Sequence, residues 1–410
     1  MTIEQGILFN TILSDEFFPD YTAQFLELFK KFIIEDIRKG IDLKFKILNR
    51  NHRKKTSPIL KLAKPQDARE IVSIYMELYN GTYPYKEIID EVEVGMMINN
   101  PDIQWILFMD QNEKIAGCIT FVLDFKGKKG YIRGFMLKKQ YQGKIDTIKA
   151  MIGSMIGMCF TYKDEILVWY VENRTAHAKS QYSMRICGIS PIAFYPNKDV
   201  FNNKVESDLM QILYDERALQ KYRSKKIPII IPDALNCFLF SDNKYNLGPV
   251  KIDDLKIILD KNKLTRIKEN LVREVNKHKF GYETIKISLK NSNSYFKFLH
   301  TPTVQNFEKT EYNVKSLEEL NILVQEFKKC ALELNIRYME VFVSAYKPDH
   351  QKIFLDAGLS PRGYVPSWHY NRKKNVFEDC ILFNEFKGQI DKNIQLISEG
   401  KELLNCLNLI

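Results

Sequence analysis

The strongest constraint on this chain is a pattern that it writes twice. Gln181 leads through Gly188, Ile189, Ser190, Pro191 and Phe194 to Pro196. Gln351 leads at the same offsets through Gly358, Leu359, Ser360, Pro361 and Tyr364 to Pro366. A run rich in β-branched and aromatic residues precedes each copy, Ile166 to Val171 and Tyr338 to Val343. The shared order of parts is strand, short loop, helix closed by Gly, Ser-Pro, strand. The period is far too long for a solenoid repeat, so the pattern predicts two copies of one domain.

The remaining bulk properties narrow the class. The chain has 410 residues, room for two or three domains with cores of their own. Hydrophobic content of 45% and aromatic content of 12% mark a globular chain and exclude a disordered one. The 7 cysteines are scattered, with no CxxC-type zinc spacing and no even disulfide framework. That usage predicts a reducing cytoplasm. The opening MTIEQGILFN has no basic segment leading into a long apolar run, so no signal peptide is expected. The longest apolar stretch, Ala150 to Phe160, is too short to span a bilayer. Its Gly153 and Gly157 suit a helix packed closely on a sheet.

Formal net charge is +10, and the densest basic run is Arg50 to Lys55. Such a run can meet nucleic acid or an anionic cofactor. Elsewhere, basic residues are mixed with Asp and Glu, which argues against nucleic acid and favours a solvated linker.

The expected organisation has four parts. Residues 1–57 read as a helical extension and basic linker, with Asp20 capping a helix through Phe25, Leu26, Leu28, Phe29, Phe32, Ile33 and Ile37. Residues 58–215 form the first α/β domain: a strand at 59–63, a helix after Asp67, a helix at 86–98, and strands at 105–109, 115–123 and 131–137. A helix at 144–159, a strand at 166–171, a helix at 178–187, an edge strand at 190–196 and a strand at 209–213 complete it. Residues 216–279 read as a connector with helices near 252–260 and 263–277. Residues 280–410 form the second domain, with a hairpin across Asn291-Ser-Asn-Ser, a long helix at 317–334 and the repeated half.

Chemistry concentrates after the strand 131–137. Gly134-Phe135-Met136-Leu137 runs into Lys138-Lys139-Gln140-Tyr141-Gln142-Gly143-Lys144 and then a helix. A loop feeding a helix N-terminus offers unpaired N–H groups and the positive end of the dipole. A glycine lets the backbone approach a phosphate, and Lys138, Lys139 and Lys144 add charge. No metal-site spacing, Ser-His-Asp set or GxSxG elbow is visible; His350, Asp349 and His369 lack a coherent ligand spacing. His177 reads as a cap or surface group.

This segment resembles the GNAT N-acetyltransferase superfamily, whose loop reads Arg/Gln-x-x-Gly-x-Gly/Ala. Gln140 and Gly143 match its first two fixed positions, and Ile145 departs at the third. The strand and two helices at the start, the hairpin, Glu172-Asn173 and the helix closed by Gly188-Ile189 fit as well. The likeness covers roughly residues 58–215. Arg174, His177, Ser180 and Gln181 reproduce an Arg-x-x-His-x-x-Ser-Gln stretch found in a subset of the superfamily.

The resemblance implies two GNAT-like domains, each a mixed twisted sheet flanked by helices, and acyl transfer from acetyl-CoA or another acyl-CoA to an amine. It places pantetheine along Phe135, Met136 and Leu137 as an added strand. It places the diphosphate on Gln142, Gly143, Lys144 and Ile145. Glu172 becomes the base. Met184 occupies the family's usual tyrosine position and cannot donate a proton. Tyr182 is the neighbouring acid candidate, though it points elsewhere on the helix.

The second copy is expected to be degenerate, because Thr301 to Thr310 holds no glycine loop before its long helix. It would shape the substrate cleft, with Pro366 to Tyr370 either lining it or serving as ordinary core and edge strand. Expected partners are a small-molecule or peptide amine, with no membrane and no nucleic acid, and the duplication suits a monomeric pseudo-dimer. The rival readings are a tRNA-dependent aminoacyltransferase-like tandem, a non-catalytic acyl-CoA- or protein-binding module, and an N-acyltransferase for longer chains.

Overall fold

Apolar runs between 103 and 137 build three consecutive antiparallel strands, and these organise the first half of the molecule. The computed structural model describes residues 18–29, 41–42 and 55–409. Of the expected N-terminal helix, α1 spans Thr22–Phe29. Phe32, Ile33, Ile37 and the basic residues Arg50 to Lys54 lie outside the described residues.

The first sheet comprises β1 (Ile41–Asp42), β2 (Ile59–Leu62), β3 (Ile103–Met109), β4 (Ile115–Asp124), β5 (Lys129–Leu137), β6 (Val168–Arg174), β7 (Ser190–Phe201) and β8 (Lys204–Tyr214). Its order is β1-β2-β3-β4-β5-β6-β8-β7. Neighbours from β1 to β5 run antiparallel, while β5 and β6 run parallel. A parallel pair needs a crossover. Here it is α4 (Thr147–Thr161), whose residues 149–159 are all buried, as expected of a helix covered on every side.

Between β2 and β3 lie α2 (Ala68–Tyr79) and α3 (Glu91–Asn99). The buried residues Ala68, Ile71, Ile74 and Tyr75 fall on one helical face of α2, which ends at the left-handed Asn80. Asp90 caps α3, accepting from Val92 N–H and Glu93 N–H. A further helix, α5 (Lys179–Ile186), follows β6.

By packing, the chain divides into two units. The first holds Met1–Asn173, His177–Pro191 and Met210–Tyr222; the second holds Arg174–Ala176, Ile192–Leu209 and Arg223–Ile410. The second unit's own sheet consists of β11 (Leu271–Lys277), β12 (Glu283–Leu289), β13 (Tyr295–Thr301), β14 (Asn306–Asn313), β15 (Tyr338–Ser344), β16 (Ser360–Asn371) and β17 (Val376–Phe386), in the order β11-β12-β13-β14-β15-β17-β16. The connecting segment supplies α6 (Glu216–Gln220), the short parallel pair β9 (Ile229–Ile230) and β10 (Lys251–Ile252), α7 (Leu235–Tyr245) and α8 (Lys261–Lys268). The crossover here is α9 (Leu317–Glu333), and α10 (Pro348–Asp356) and α11 (Ser398–Cys406) follow.

Strand for strand, this order repeats that of β2 to β8, with one parallel pair, β14 and β15, in the matching place. The duplication read from the two Gln-to-Pro patterns is therefore a duplication of fold. One difference matters: β11 and β12 are joined by a turn at 278–282, where the first unit carries α2 and α3.

Several boundaries differ from the sequence reading. No helix forms at 252–260, and 263–277 is split between α8 and β11. Leu271 to Lys277 pairs along its whole length with Leu289 to Glu283, and that ladder wins over helical periodicity. The second sheet thus begins before residue 280, and Ile192–Leu209 packs with the second unit. The unforeseen α7 docks through Phe238, edge-on to Tyr364 at 5.0 Å between ring centroids.

Candidate active site in the first unit

Two features of β5 create an opening in the sheet. On its β4 side, Cys118 pairs with Met136 and Thr120 with Arg133, so Gly134 and Phe135 face a single β4 residue in a bulge. Gly134 sits at φ +63, and a Cβ there would lie 2.4 Å from Tyr75 Oη. Only glycine fits both the conformation and the space. On the β6 side, parallel pairing ends at Ile132 with Val171. Beyond it the strands separate. The edge of Arg133 to Leu137 is left outside the ladder, facing the end of β6 with Glu172 and Asn173. An extended ligand can add to such an edge through backbone hydrogen bonds.

The turn after β5 departs from the simple helix-entry expectation. Lys139–Tyr141 is a short 3-10 turn, and α4 begins at Thr147 rather than Lys144. Gly143 is exposed at φ +79, with open space where a Cβ would stand. The neighbouring N–H groups are engaged: Gln142 donates to Lys139 O, Lys144 and Ile145 donate to Tyr141 O, and Asp146 donates to Thr56 O. Within 142–146, Gly143 N–H alone has no acceptor among the described residues. The end of α4 is capped by the molecule itself. Asp146, 7% exposed, accepts from Lys149 N–H at 3.2 Å, and burial raises its carboxyl pKa. Lys149 Nζ in turn bonds Ser57 Oγ.

The flanking side chains are also partly committed. Lys138 pairs with Glu70 at 2.6 Å, and Lys139 N–H donates to Glu77 at 2.7 Å. Tyr141 Oη donates to Asp110 at 3.0 Å. The Lys139 and Lys144 side chains, by contrast, are exposed.

The predicted site residues separate into groups. Phe135, Met136 and Leu137 lie on the open edge, and their side chains pack into the cores on either side of the sheet. Glu172 is half-buried just past the last parallel pair. Ile145 and Met184 are each 1% exposed within the core around α4, which explains why apolar residues stand there. Tyr182 is 39% exposed on α5, on the opposite side from Met184. Arg174 binds Glu206 through two hydrogen bonds and covers the Phe201 ring, while His177 is exposed. Gln181 is fully buried, and its carbonyl accepts from Gln211 Nε2. Arg174, His177, Ser180 and Gln181 therefore have separate environments.

Sequence reasoning missed the other lining of the opening. Trp169 and Val171 point to the α4 core, so alternation turns Tyr170 and Glu172 to the opposite face. Tyr131 shares that face, its ring stacked on Tyr170 at 4.9 Å. Arg133 follows next on β5, near Tyr75 and Tyr83. The one available signal was a glycine inside the strand-like run Tyr131-Ile-Arg-Gly-Phe, which marks a bulge. Cys118, on β4 behind it, is buried, and its thiol is pushed up to about 12, so it is no nucleophile.

The second unit has the separation without the turn. Pairing of β14 and β15 ends at Phe307 with Met339. The stretch 301–310, read as lacking a glycine loop, is the end of β13, a turn and most of β14. The helix entry is Val314-Lys315-Ser316, where Glu319 accepts from Lys315 N–H at 2.9 Å and from Ser294 Oγ at 2.6 Å. A carboxylate thus occupies the entry of α9.

No family model matches the chain, and no curated protein does. Solved structures of N-acetyltransferases match one unit's worth of it. A mutant of the spermidine N-acetyltransferase SpeG from Vibrio cholerae aligns at 12% identity, over 38% of this chain and 94% of that chain, with a TM-score of 0.34. The ribosomal-protein-S5-alanine acetyltransferase from Vibrio fischeri aligns at 16% identity, over 40% of this chain and 96% of that chain, with a TM-score of 0.34. The microcin C7 self-immunity acetyltransferase MccE, in complex with acetyl-CoA and AMP, aligns at 15% identity, over 38% and 92%, with a TM-score of 0.32. The repeated strand order and the separated parallel pair give the chain its architecture: two mixed sheets of one topology in tandem.

Proposed function

We propose that the first unit is an acyl-CoA-dependent N-acyltransferase that moves an acetyl group from acetyl-CoA to a primary amine by direct transfer. The observation that carries this reading is the opened β5 edge, Arg133 to Leu137, running straight into the exposed Gly143 turn. The pantetheine arm would add to Phe135, Met136 and Leu137. The diphosphate would meet Gly143 N–H and the ammonium groups of Lys139 and Lys144, in a turn shaped by Gln142 and Ile145. Glu172 would take the acceptor's proton. The amine nitrogen then bonds the acyl carbon as the carbon–sulfur bond breaks, and the departing thiolate takes a proton from Tyr182 or from water. Holding the reactants together supplies much of the rate.

A second reading, a non-catalytic module that binds acyl-CoA, is favoured by the self-capped α4 and by the buried Met184. Release of CoA from acetyl-CoA against an amine panel separates the two. The transferase reading expects turnover, lowered by about a hundredfold in Glu172→Gln. Binding without turnover for any amine supports the module.

A further inference from the structure

Arg133 is a half-buried cation with no ion pair among the described residues. Its Nε is covered and finds no hydrogen-bond acceptor, and no carboxylate of the described residues reaches ion-pairing distance. Burial opposes the charge, while the hydroxyls of Tyr75, Tyr83 and Tyr131 and the Glu87 carboxylate favour it and prevail. The side chain as a whole is half-buried, and a guanidinium seated there favours an anion beside it. Its planar fork is therefore open to an incoming carboxylate.

Its position gives that carboxylate a meaning. Arg133 is the first β5 residue beyond the last pair with β6, and it directly precedes the bulge at Gly134. It shares a face with Tyr131, Tyr170 and Glu172. Opposite it stands a wall of rings: Tyr83 lies 4.8 Å from Tyr75 and 4.7 Å from Tyr79 between centroids. A polycationic amine would be repelled here. An amine that carries a carboxylate close by would give that carboxylate to the guanidinium and lay its side chain on the rings.

We propose that the acceptor of the first unit is an α-amino-acid-type amine, whose carboxylate is received by Arg133 and whose side chain rests on the half-buried Tyr79 and Tyr83 rings. This rests on the transferase reading for its chemistry and on Arg133 alone for its selectivity. The amine then stands beside Glu172.

The test uses the full chain with a panel of L-amino acids and their decarboxylated amines, L-phenylalanine beside phenethylamine among them. Binding is read by thermal shift, and transfer by CoA release, for wild type, Arg133→Gln and Arg133→Lys. Wild type should favour at least one acid over its amine by about thirtyfold, which is about 2 kcal/mol at 1.4 kcal/mol per tenfold. Arg133→Gln should erase that preference, with a cooperative urea transition like that of wild type to certify its fold. Arg133→Lys should retain part of it. Amines equal to or better than every acid in wild type would overturn the proposal, as would an undiminished preference in Arg133→Gln. Acid binding that depends on Arg133 without any acetyl-CoA binding would retain the carboxylate site and remove the transferase reading. Acetyl-CoA binding with no acid preference would do the reverse.

Discussion

Replacing Gly134 by alanine tests the geometry that opens the sheet. The residue sits at φ +63, where an L side chain costs about 1–2 kcal/mol. The added Cβ would lie 2.4 Å from Tyr75 Oη, and Tyr75 is 1% exposed and held by its neighbours. Overpacking of that kind costs about 1–3 kcal/mol. Gly134→Ala should therefore lower the stability of the first unit by about 3 kcal/mol. The next Tyr75 atom, Cζ, is 3.6 Å away, an ordinary contact. Tyr75→Phe should thus relieve the clash, and the double variant should regain about 2 kcal/mol, leaving the backbone cost. Urea unfolding followed by tryptophan fluorescence in a Trp368→Phe background reads Trp105 and Trp169, both in this unit. A single variant within about 0.5 kcal/mol of wild type, or no recovery in the double variant, would refute the reasoning.

Other expectations follow from the same physics. Gly143→Ala has nothing within 4 Å of the new Cβ, so it should cost only about 1 kcal/mol, measured by the same unfolding assay. Asp146→Asn keeps a capping side chain and removes a charge from the end of α4. Acetyl-CoA affinity should rise about fivefold by calorimetry, and an unchanged affinity would place the diphosphate away from that end. Gln351 accepts from Ile231 N–H at 3.0 Å and donates to Ile229 O at 3.1 Å and Ser344 O at 3.0 Å. Gln351→Met leaves those buried groups unmet and should destabilise the second unit by about 2–4 kcal/mol in denaturant. His350, 6% exposed with Tyr312 Oη 3.1 Å from its Nδ1, is lowered to about 4 by burial and by Lys347. The unfolded chain binds that proton first, so stability is full above about pH 6.5 and declines toward pH 4, by up to about 3 kcal/mol. His350→Phe should flatten the profile, and an unchanged slope would show that the ring titrates alike in the folded and the unfolded chain.

The sequence exposed most clearly what depends on local pattern. The two Gln-to-Pro runs marked the same strand–helix–strand half twice, and Gln181 and Gln351 proved to be fully buried in matching helices. The hairpin strands at 105–123 and the helix at 317–334 were legible from periodicity. Segments ruled by tertiary pairing were not. Leu271 to Lys277 has apolar residues at a spacing that suits either helix or strand, and only its partner, Glu283 to Leu289, decides. Phe238 on α7 answers to Tyr364, far away in sequence. At the site, Gly143 was legible as a glycine before a helix, whereas the cap by Asp146 and the engagement of Lys138 by Glu70 were not. Arg133 carried no signal at all, since its isolation is a property of what folds around it.

The measurement closest to the central claim is acetyl-CoA binding by calorimetry at moderate salt, wild type beside Gly143→Asp. The account expects binding in the micromolar range, about −8 kcal/mol, in wild type. It expects loss of that binding when a carboxylate stands at the one open N–H of the turn. Wild type that fails to bind acetyl-CoA, or a variant that binds it equally well, would contradict the claim that the opened β5 edge and its glycine turn form a cofactor site.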